Sequence, residues 1–273
     1  MVRTHPLRVL SRAAVVLAVA TIAGCGSTPD PVDAAVRPAP VPATRTVEVP
    51  RPPAPTLAER LALAAPSADP QVIELALEAQ RCATLDGQIG SVERLAVIDY
   101  SRPSTEQRLW VFDLTAADLL YSEHVAHGKY SGGNMTTEFS NTEGSLMSSL
   151  GLFRTAETYV GGNGYSLRMD GLEPGFNDRA RERLIVMHGA DYVDPRQALQ
   201  QGRLGRSFGC PAVRGEIAQE LIDTLKDGQL LFAYYPDSQW LEGSRFLGCD
   251  SAGAGAVASV ASKAARGVSR AAE

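Results

Sequence analysis

The chain has 273 residues, 44% of them hydrophobic, and a formal net charge of −5. That is enough apolar material for one domain with a sizeable core plus extensions. Charges of both signs are interspersed, which excludes an electrostatic nucleic-acid binder, and no repeat of solenoid or propeller period is visible.

At the N-terminus, Arg3, Arg8 and Arg12 precede an apolar run over 13–23. The run is too short to span a bilayer comfortably and has the layout of a secretory signal peptide. It ends in Ile22-Ala23-Gly24-Cys25, which resembles the lipobox of bacterial lipoproteins. That resemblance implies cleavage before Cys25 and lipidation of its thiol. The alternative is an ordinary secretory signal with a chance cysteine, and either route takes the chain out of the cytoplasm. Residues 1–24 are therefore expected to be a leader and 25–56 a Pro/Ala-rich tether, with Arg37-Pro38-Ala39-Pro40-Val41-Pro42 as its clearest stretch. Proline fixes φ and removes a donor, so such a tether is extended and semi-rigid, and it holds a domain away from a membrane.

Residues 57–65 read as a short helix. Asp69-Pro70 starts a longer one, with a capping acid followed by proline at the first helical position. Val72, Leu75, Ala76, Ala79, Cys82 and Ala83 then recur at helical spacing. Strands follow over 95–100, 108–114 and 119–126, rich in aromatic and branched residues and arranged as an antiparallel meander. The stretch 128–149 is a long loop of glycine, serine, asparagine and threonine, a kind of segment that is usually functional or disordered. Strands over 152–160 and 165–169 flank Gly161-Gly162-Asn163-Gly164, a hairpin signal. A short charged helix is expected over 177–183, then a buried strand, Leu184-Ile185-Val186-Met187. After the next loop, 215–226 reads as an amphipathic helix with Ile217, Leu221 and Leu225 on one face and Gly228 as its cap. Residues 230–235 form a closing strand, and 250–273 are an Ala/Gly/Ser-rich tail expected to lack firm structure. The sum is a mainly β domain over 57–249 with a few helices on its outside.

Chemistry concentrates at His188-Gly189 and at Gly205-Arg206-Ser207-Phe208-Gly209-Cys210-Pro211. A catalytic thiol needs a base, amides that receive an oxyanion, and a backbone that lets substrate approach. A free cysteine is usually a buried small hydrophobe. Here Arg206, Ser207 and Gly209 argue instead for an exposed thiol of depressed pKa. His188 is the candidate base. Gly189 lets the chain turn sharply after it and frees a carbonyl to orient the ring. Gly209 and Cys210 are the candidate oxyanion donors. Arg206 is a candidate for a substrate carboxylate. His127, at the mouth of the long loop, is either a substrate-facing group or a polar strand end. His124 and His127 lie three apart on an expected strand, where they face opposite sides, so no metal site is expected. With Cys25 lipidated and Cys210 catalytic, Cys82 and Cys249 remain. In an oxidising compartment that pair is expected to form a disulfide joining the first long helix to the end of the domain.

His188-Gly189 followed, across a short spacer, by Ser207-Phe208-Gly209-Cys210 resembles the active-site motif of YkuD-type L,D-transpeptidases. Val97-Ile98-Asp99-Tyr100-Ser101, Val125-Ala126-His127-Gly128, Gly164-Tyr165-Ser166-Leu167 and His188-Gly189-Ala190-Asp191-Tyr192 are similar to the murein L,D-transpeptidase subgroup. The likeness runs over roughly 71–249. One departure is Pro211-Ala212, where many members carry Arg or Asn two residues after the cysteine. The resemblance implies a β-sandwich or barrel with no cofactor and no metal. It implies that Cys210 attacks the L-centre carbonyl of a diamino acid in a peptidoglycan tetrapeptide stem, with His188 moving protons and Ser207 near the substrate. A neighbouring stem's amine would resolve the thioacyl-enzyme into a 3→3 cross-link. The expected partners are stem peptides and, through a lipid anchor, a membrane of the cell envelope, which fits a periplasmic or other extracytoplasmic site. The alternatives are an L,D-carboxypeptidase, in which water replaces the amine, and a non-catalytic wall-binding lipoprotein.

Overall fold

The computed structural model describes residues 53–249. The leader, Cys25, the tether as far as residue 52 and the tail from residue 250 lie outside the described residues. Two helices open the described chain. Helix α1, Leu57–Ala64, starts in a capping box: Thr56 Oγ accepts from the Glu59 amide, and the Glu59 carboxylate accepts from the Thr56 amide. Helix α2, Pro70–Leu85, is capped by Asp69, whose carboxylate accepts from Gln71 N at 2.9 Å. Its buried face is Val72, Ile73, Leu75, Ala76, Ala79, Cys82 and Ala83.

Among the described residues, eight strands make one sheet: β1 Arg94–Asp99, β2 Leu109–Asp113, β3 Asp118–Glu123, β4 Gly151–Gly161, β5 Gly164–Gly171, β6 Val186–Ala190, β7 Ala212–Arg214 and β8 Leu230–Tyr234. Their order is β3-β2-β1-β8-β4-β5-β6-β7. The pairs β1–β8 and β6–β7 are parallel, whereas β1–β2, β2–β3 and β4–β5 are antiparallel. Strands β1 and β8 are buried along nearly their whole length, as expected of parallel strands covered on both faces. The two edges of the sheet come together where Ala126 N donates to Ala212 O at 2.8 Å, so the sheet is nearly closed.

That closure explains why the third strand is shorter than expected. Residues 124–127 leave β2 and turn toward β7, so β3 ends at Glu123. The charged helix expected over 177–183 is also absent and is replaced by turns. Asn177 Nδ2 donates to the carbonyls of Leu150 and Leu152, and its Oδ1 accepts from Glu173 N. Glu173 in turn is buried and accepts from Leu152 N and from Trp240 Nε1. Side-chain bonds of this kind offer the backbone an alternative to the helix.

Three more helices complete the outside: α3 Pro195–Gln201, α4 Gly215–Leu225 and α5 Ser238–Gly243. Helix α4 packs on β6 and also meets β1, β5 and β7, and it buries Ala218, Leu221, Ile222 and Leu225. The loop over 128–149 is tied down by its own hydroxyls. Ser148 Oγ accepts from Gly128 N at 3.0 Å, and Ser131 Oγ accepts from Ser148 N at 2.8 Å.

Cys82 on α2 is bonded to Cys249, with 5.8 Å between the Cα atoms across a sequence separation of 167. Beside it, Gly248 N donates to the buried carboxylate of Glu78 at 2.7 Å. A cross-link closing so long a loop removes much entropy from the unfolded chain. Reduction, or the Cys82→Ser/Cys249→Ser pair, is therefore expected to lower unfolding stability by about 2–5 kcal/mol. Urea unfolding with and without reductant checks this, and superimposable curves would contradict it.

Candidate active site

Strand β6 brings His188 next to the cysteine loop, because its parallel register sets His188 opposite Ala212 and Gly189 opposite Val213. Cys210 lies two residues before Ala212 and Val186 two before His188. Val186 and His188 therefore share one face of β6, and Val186 N donates to Cys210 Sγ at 3.5 Å. The Cys210 thiol in turn reaches Leu184 O at 3.7 Å.

His188 is buried, and its Nδ1 lies 2.9 Å from the Gly189 carbonyl. A carbonyl oxygen only accepts, so the ring proton is on Nδ1 and the lone pair is on Nε2. Burial pushes the His188 pKa below its ordinary value, and the bond to Gly189 partly offsets this. The ring is thus a neutral base at neutral pH. Gly189 has a different reason to be glycine from the one expected. It lies inside β6 and not at a turn, and a Cβ there would sit 2.8 Å from Ala218 Cβ on α4. Its lack of a side chain lets the helix reach the strand.

Cys210 is the one free cysteine among the described residues, and it is only 8% exposed. This corrects the expectation of an exposed, acidified thiol. Burial pushes the Cys210 pKa up, against smaller opposing effects of the Val186 amide and of Arg183. The polar neighbours that suggested exposure make their bonds inward. Ser207 is buried; its Oγ donates to Cys210 O at 2.6 Å and accepts from Gly209 N at 3.1 Å. The hydroxyl expected to meet substrate therefore shapes the turn. The Gly209 amide, expected to hold an oxyanion, is engaged by that same hydroxyl. Gly209 adopts φ 123°, and a Cβ there would meet Ile185 Cδ1 and Met147 O, each at 2.8 Å.

The two remaining substrate candidates also turn out to support the loops. Arg206 Nη1 donates to the carbonyls of Lys129 and Gly132, at 2.9 and 2.8 Å. His127 is fully buried, and its Nδ1 accepts from Arg108 Nη2 at 2.7 Å. Burial, followed by the Arg108 charge, lowers the His127 pKa to about 3, so the ring is neutral. A wholly buried ring presents no surface to a substrate. The backbone of His127 instead carries the cysteine loop, since its carbonyl accepts from Ser207 N at 3.0 Å. His124 goes to a separate partner, the Thr105 carbonyl, at 3.2 Å.

Several residues at the site had no role in the sequence reading. Arg183 Nη2 donates to Met147 O at 2.7 Å, next to the cysteine loop. Leu184 holds a left-handed backbone, φ 56°, and offers its carbonyl to the thiol. Phe208 and Leu184 expose 70% and 65% of their surface; the first lies two residues before Cys210, and the second offers its carbonyl to the thiol. The signal for Arg183 was its position five residues before His188, where it read as the end of a charged helix. Burial first of all, with the Cys210 charge as a smaller cause, pushes Tyr100 and Tyr192 up to about 12.

Comparison with known proteins places these features in a wider setting. The sequence model of the L,D-transpeptidase catalytic domain matches residues 64–234. No curated protein matches the chain in sequence. Among solved structures, an L,D-transpeptidase from Mycobacterium smegmatis is 14% identical, with a TM-score of 0.33, over 53% of this chain and 60% of that one. An L,D-transpeptidase from Stackebrandtia nassauensis is 14% identical, with a TM-score of 0.31, over 66% of this chain and 89% of that one. L,D-transpeptidase 3 from Mycobacterium tuberculosis is 15% identical, with a TM-score of 0.30, over 52% and 61%. The chain thus spans about 60% of the length of the first of these relatives.

Proposed function

The chain belongs to the L,D-transpeptidase catalytic-domain family, and on that premise we propose that it is a cysteine-dependent acyl transferase acting on peptidoglycan stem peptides. The observation that carries this reading is the 2.9 Å contact between His188 Nδ1 and the Gly189 carbonyl. With the ring proton held on Nδ1 by the Gly189 carbonyl, Nε2 is the free base, one strand away from Cys210.

In the proposed reaction the thiol hydrogen swings from Leu184 O to His188 Nε2. Sγ then bonds to the L-centre carbonyl carbon of the stem's diamino acid. The C–N bond to the terminal D-alanine breaks, and His188 returns the proton to the departing amine. The Cys210 amide is the candidate oxyanion donor. The amine of a second stem then attacks the thioester, gives its proton through His188 to the sulfur, and leaves a 3→3 cross-link. The leader would export the chain and be removed, and a lipidated Cys25 would hold the domain in the cell envelope, with residues 25–56 as the spacer to its substrate.

Incubation of the protein with purified disaccharide-tetrapeptides, followed by chromatography and mass spectrometry, tests the reading. Cross-linked dimers with release of D-alanine are the expected products. Tripeptides alone would replace transfer by hydrolysis, and unchanged tetrapeptide would overturn both.

A further inference from the structure

The guanidinium of Arg183 lies beside the cysteine loop with no carboxylate partner among the described residues. Nη1 donates to Ser140 O at 2.6 Å and Ser149 Oγ at 2.5 Å; Nη2 donates to Met147 O at 2.7 Å and Ser145 Oγ at 3.2 Å. All four acceptors are neutral. The remaining donor, Nε, is buried with no partner. The residue as a whole is half-buried, and a charge withdrawn this far from water with only neutral acceptors is stabilised by an opposite charge forming beside it.

The chain ties this group to the thiol from two sides. The residue after Arg183 is Leu184, whose left-handed backbone (φ 56°) carries the carbonyl that Cys210 Sγ reaches at 3.7 Å. A non-glycine residue held in that conformation is strained, and such strain gathers at functional sites. Two residues further on, Val186 N donates to the same sulfur. From the opposite side, the Met147 carbonyl that Arg183 grips is the atom against which Gly209 packs. Arg183 therefore holds both the approach to β6 and the wall behind the cysteine turn.

We propose that Arg183 is the counter-ion of the Cys210 thiolate, a positioning residue whose unpaired charge is answered when the thiol gives up its proton. The proposal rests on the reading of Cys210 as the nucleophile and adds what stabilises its charged form. The two groups act on each other: the guanidinium draws the thiol's pKa down against the larger effect of burial, and the thiolate draws that of Arg183 up, also against burial. The other titratable groups facing the sulfur are His188 from β6, Tyr100 from the end of β1 and Tyr192 from the turn after β6. The histidine is held neutral by burial, and the tyrosines ionise only near pH 12. Arg183 is therefore the charge that acts on the thiol at neutral pH.

The test is the pH profile of iodoacetamide alkylation of the full chain, read at Cys210 by peptide mass. Arg183→Gln is expected to shift the midpoint upward by about one pH unit, so that alkylation near pH 8 is about tenfold slower than in the wild type and recovers at high pH. Arg183→Lys keeps the charge and is expected to stay within about threefold of wild type. Ser149→Ala removes a loop bond while keeping the charge, and is expected to leave the midpoint in place. A wild-type profile in Arg183→Gln would overturn the proposal. So would an equal slowing at every pH, or a shift in Ser149→Ala as large as that in Arg183→Gln. If Arg183→Gln does not fold, Arg183→Lys against Ser149→Ala decides: a shifted midpoint in the lysine variant alone overturns the charge role. Alkylation needs no stem peptide, so a normal shift in a protein that forms no product from tetrapeptides would refute the acyl-transfer reading and leave the counter-ion standing.

Discussion

Cys210→Ala is expected to form no covalent adduct with a carbapenem and to lower cross-link formation from tetrapeptide stems by about 10³-fold or more. The size of the effect follows from the site having no second nucleophile in place. Ser207, three residues earlier, is engaged with Cys210 O and Gly209 N and is not oriented to attack. Cys210→Ser keeps a similar shape but leaves an alcohol of far higher pKa in a buried position, and it is expected to be nearly as inactive. Because the polar partners of Sγ among the described residues are Val186 N and Leu184 O, at 3.5 and 3.7 Å, its removal breaks no strong bond of the fold. Unfolding curves close to wild type are the accompanying expectation. Intact-protein mass spectrometry after carbapenem treatment reads the first outcome, and an adduct on the alanine variant would place the nucleophile elsewhere.

His188→Gln is expected to lower kcat/KM by about 10²–10⁴-fold, the usual range for a general base. Its pH dependence is more telling than its magnitude. Burial lowers the His188 pKa and raises that of Cys210. The resting pair at neutral pH is thus thiol and imidazole, not thiolate and imidazolium. Activity requires the neutral ring, so it is lost only as pH falls through a value below 6.5, the ordinary histidine pKa. It persists on the alkaline side up to a thiol pKa above 9.0. The wild-type profile of kcat/KM should be flat near pH 7 and fall on the acid side below pH 6.5. In His188→Gln the acid limb should vanish, and the remaining rate should climb toward alkaline pH as solvent ionises the thiol. An acid limb surviving in that variant would assign it to another group.

The same two residues show how far the sequence could be read. Glycine after an apolar run marked His188-Gly189, and the loop signals around Cys210 marked the thiol. What could not be read was the direction in which the loop's polar groups point. Arg206, Ser207 and His127 looked like groups awaiting a substrate, yet each bonds inward, because residues 124–128 cross over to β7 and close the sheet. That closure joins Ala126 to Ala212, and the parallel pairing of β1 with β8 joins Leu95 to Leu230. Local periodicity carries no information about such distant partners. The meander β1–β2–β3 and the β4–β5 hairpin, built from local pairings and a glycine-rich turn, were legible for the opposite reason. Helices α3 and α5 are too short to show a period, although Asp194-Pro195 carries the same signal that revealed α2 and Asp237 carries its capping acid without the proline. The turns over 177–183 were misread as a helix because their composition is helical. Asn177 overrides it through bonds to Leu150 and Leu152 that only the folded chain supplies.

The central claim is that Cys210 becomes acylated by a peptidoglycan stem. Rapid mixing of the full chain with disaccharide-tetrapeptide, acid quench and peptide mapping tests it most directly. The account predicts a mass increase on the Cys210 peptide equal to the disaccharide-tripeptide acyl group, with one D-alanine released per adduct, and none in Cys210→Ala. An unmodified Cys210 peptide in a protein that nevertheless turns over the stem would contradict it.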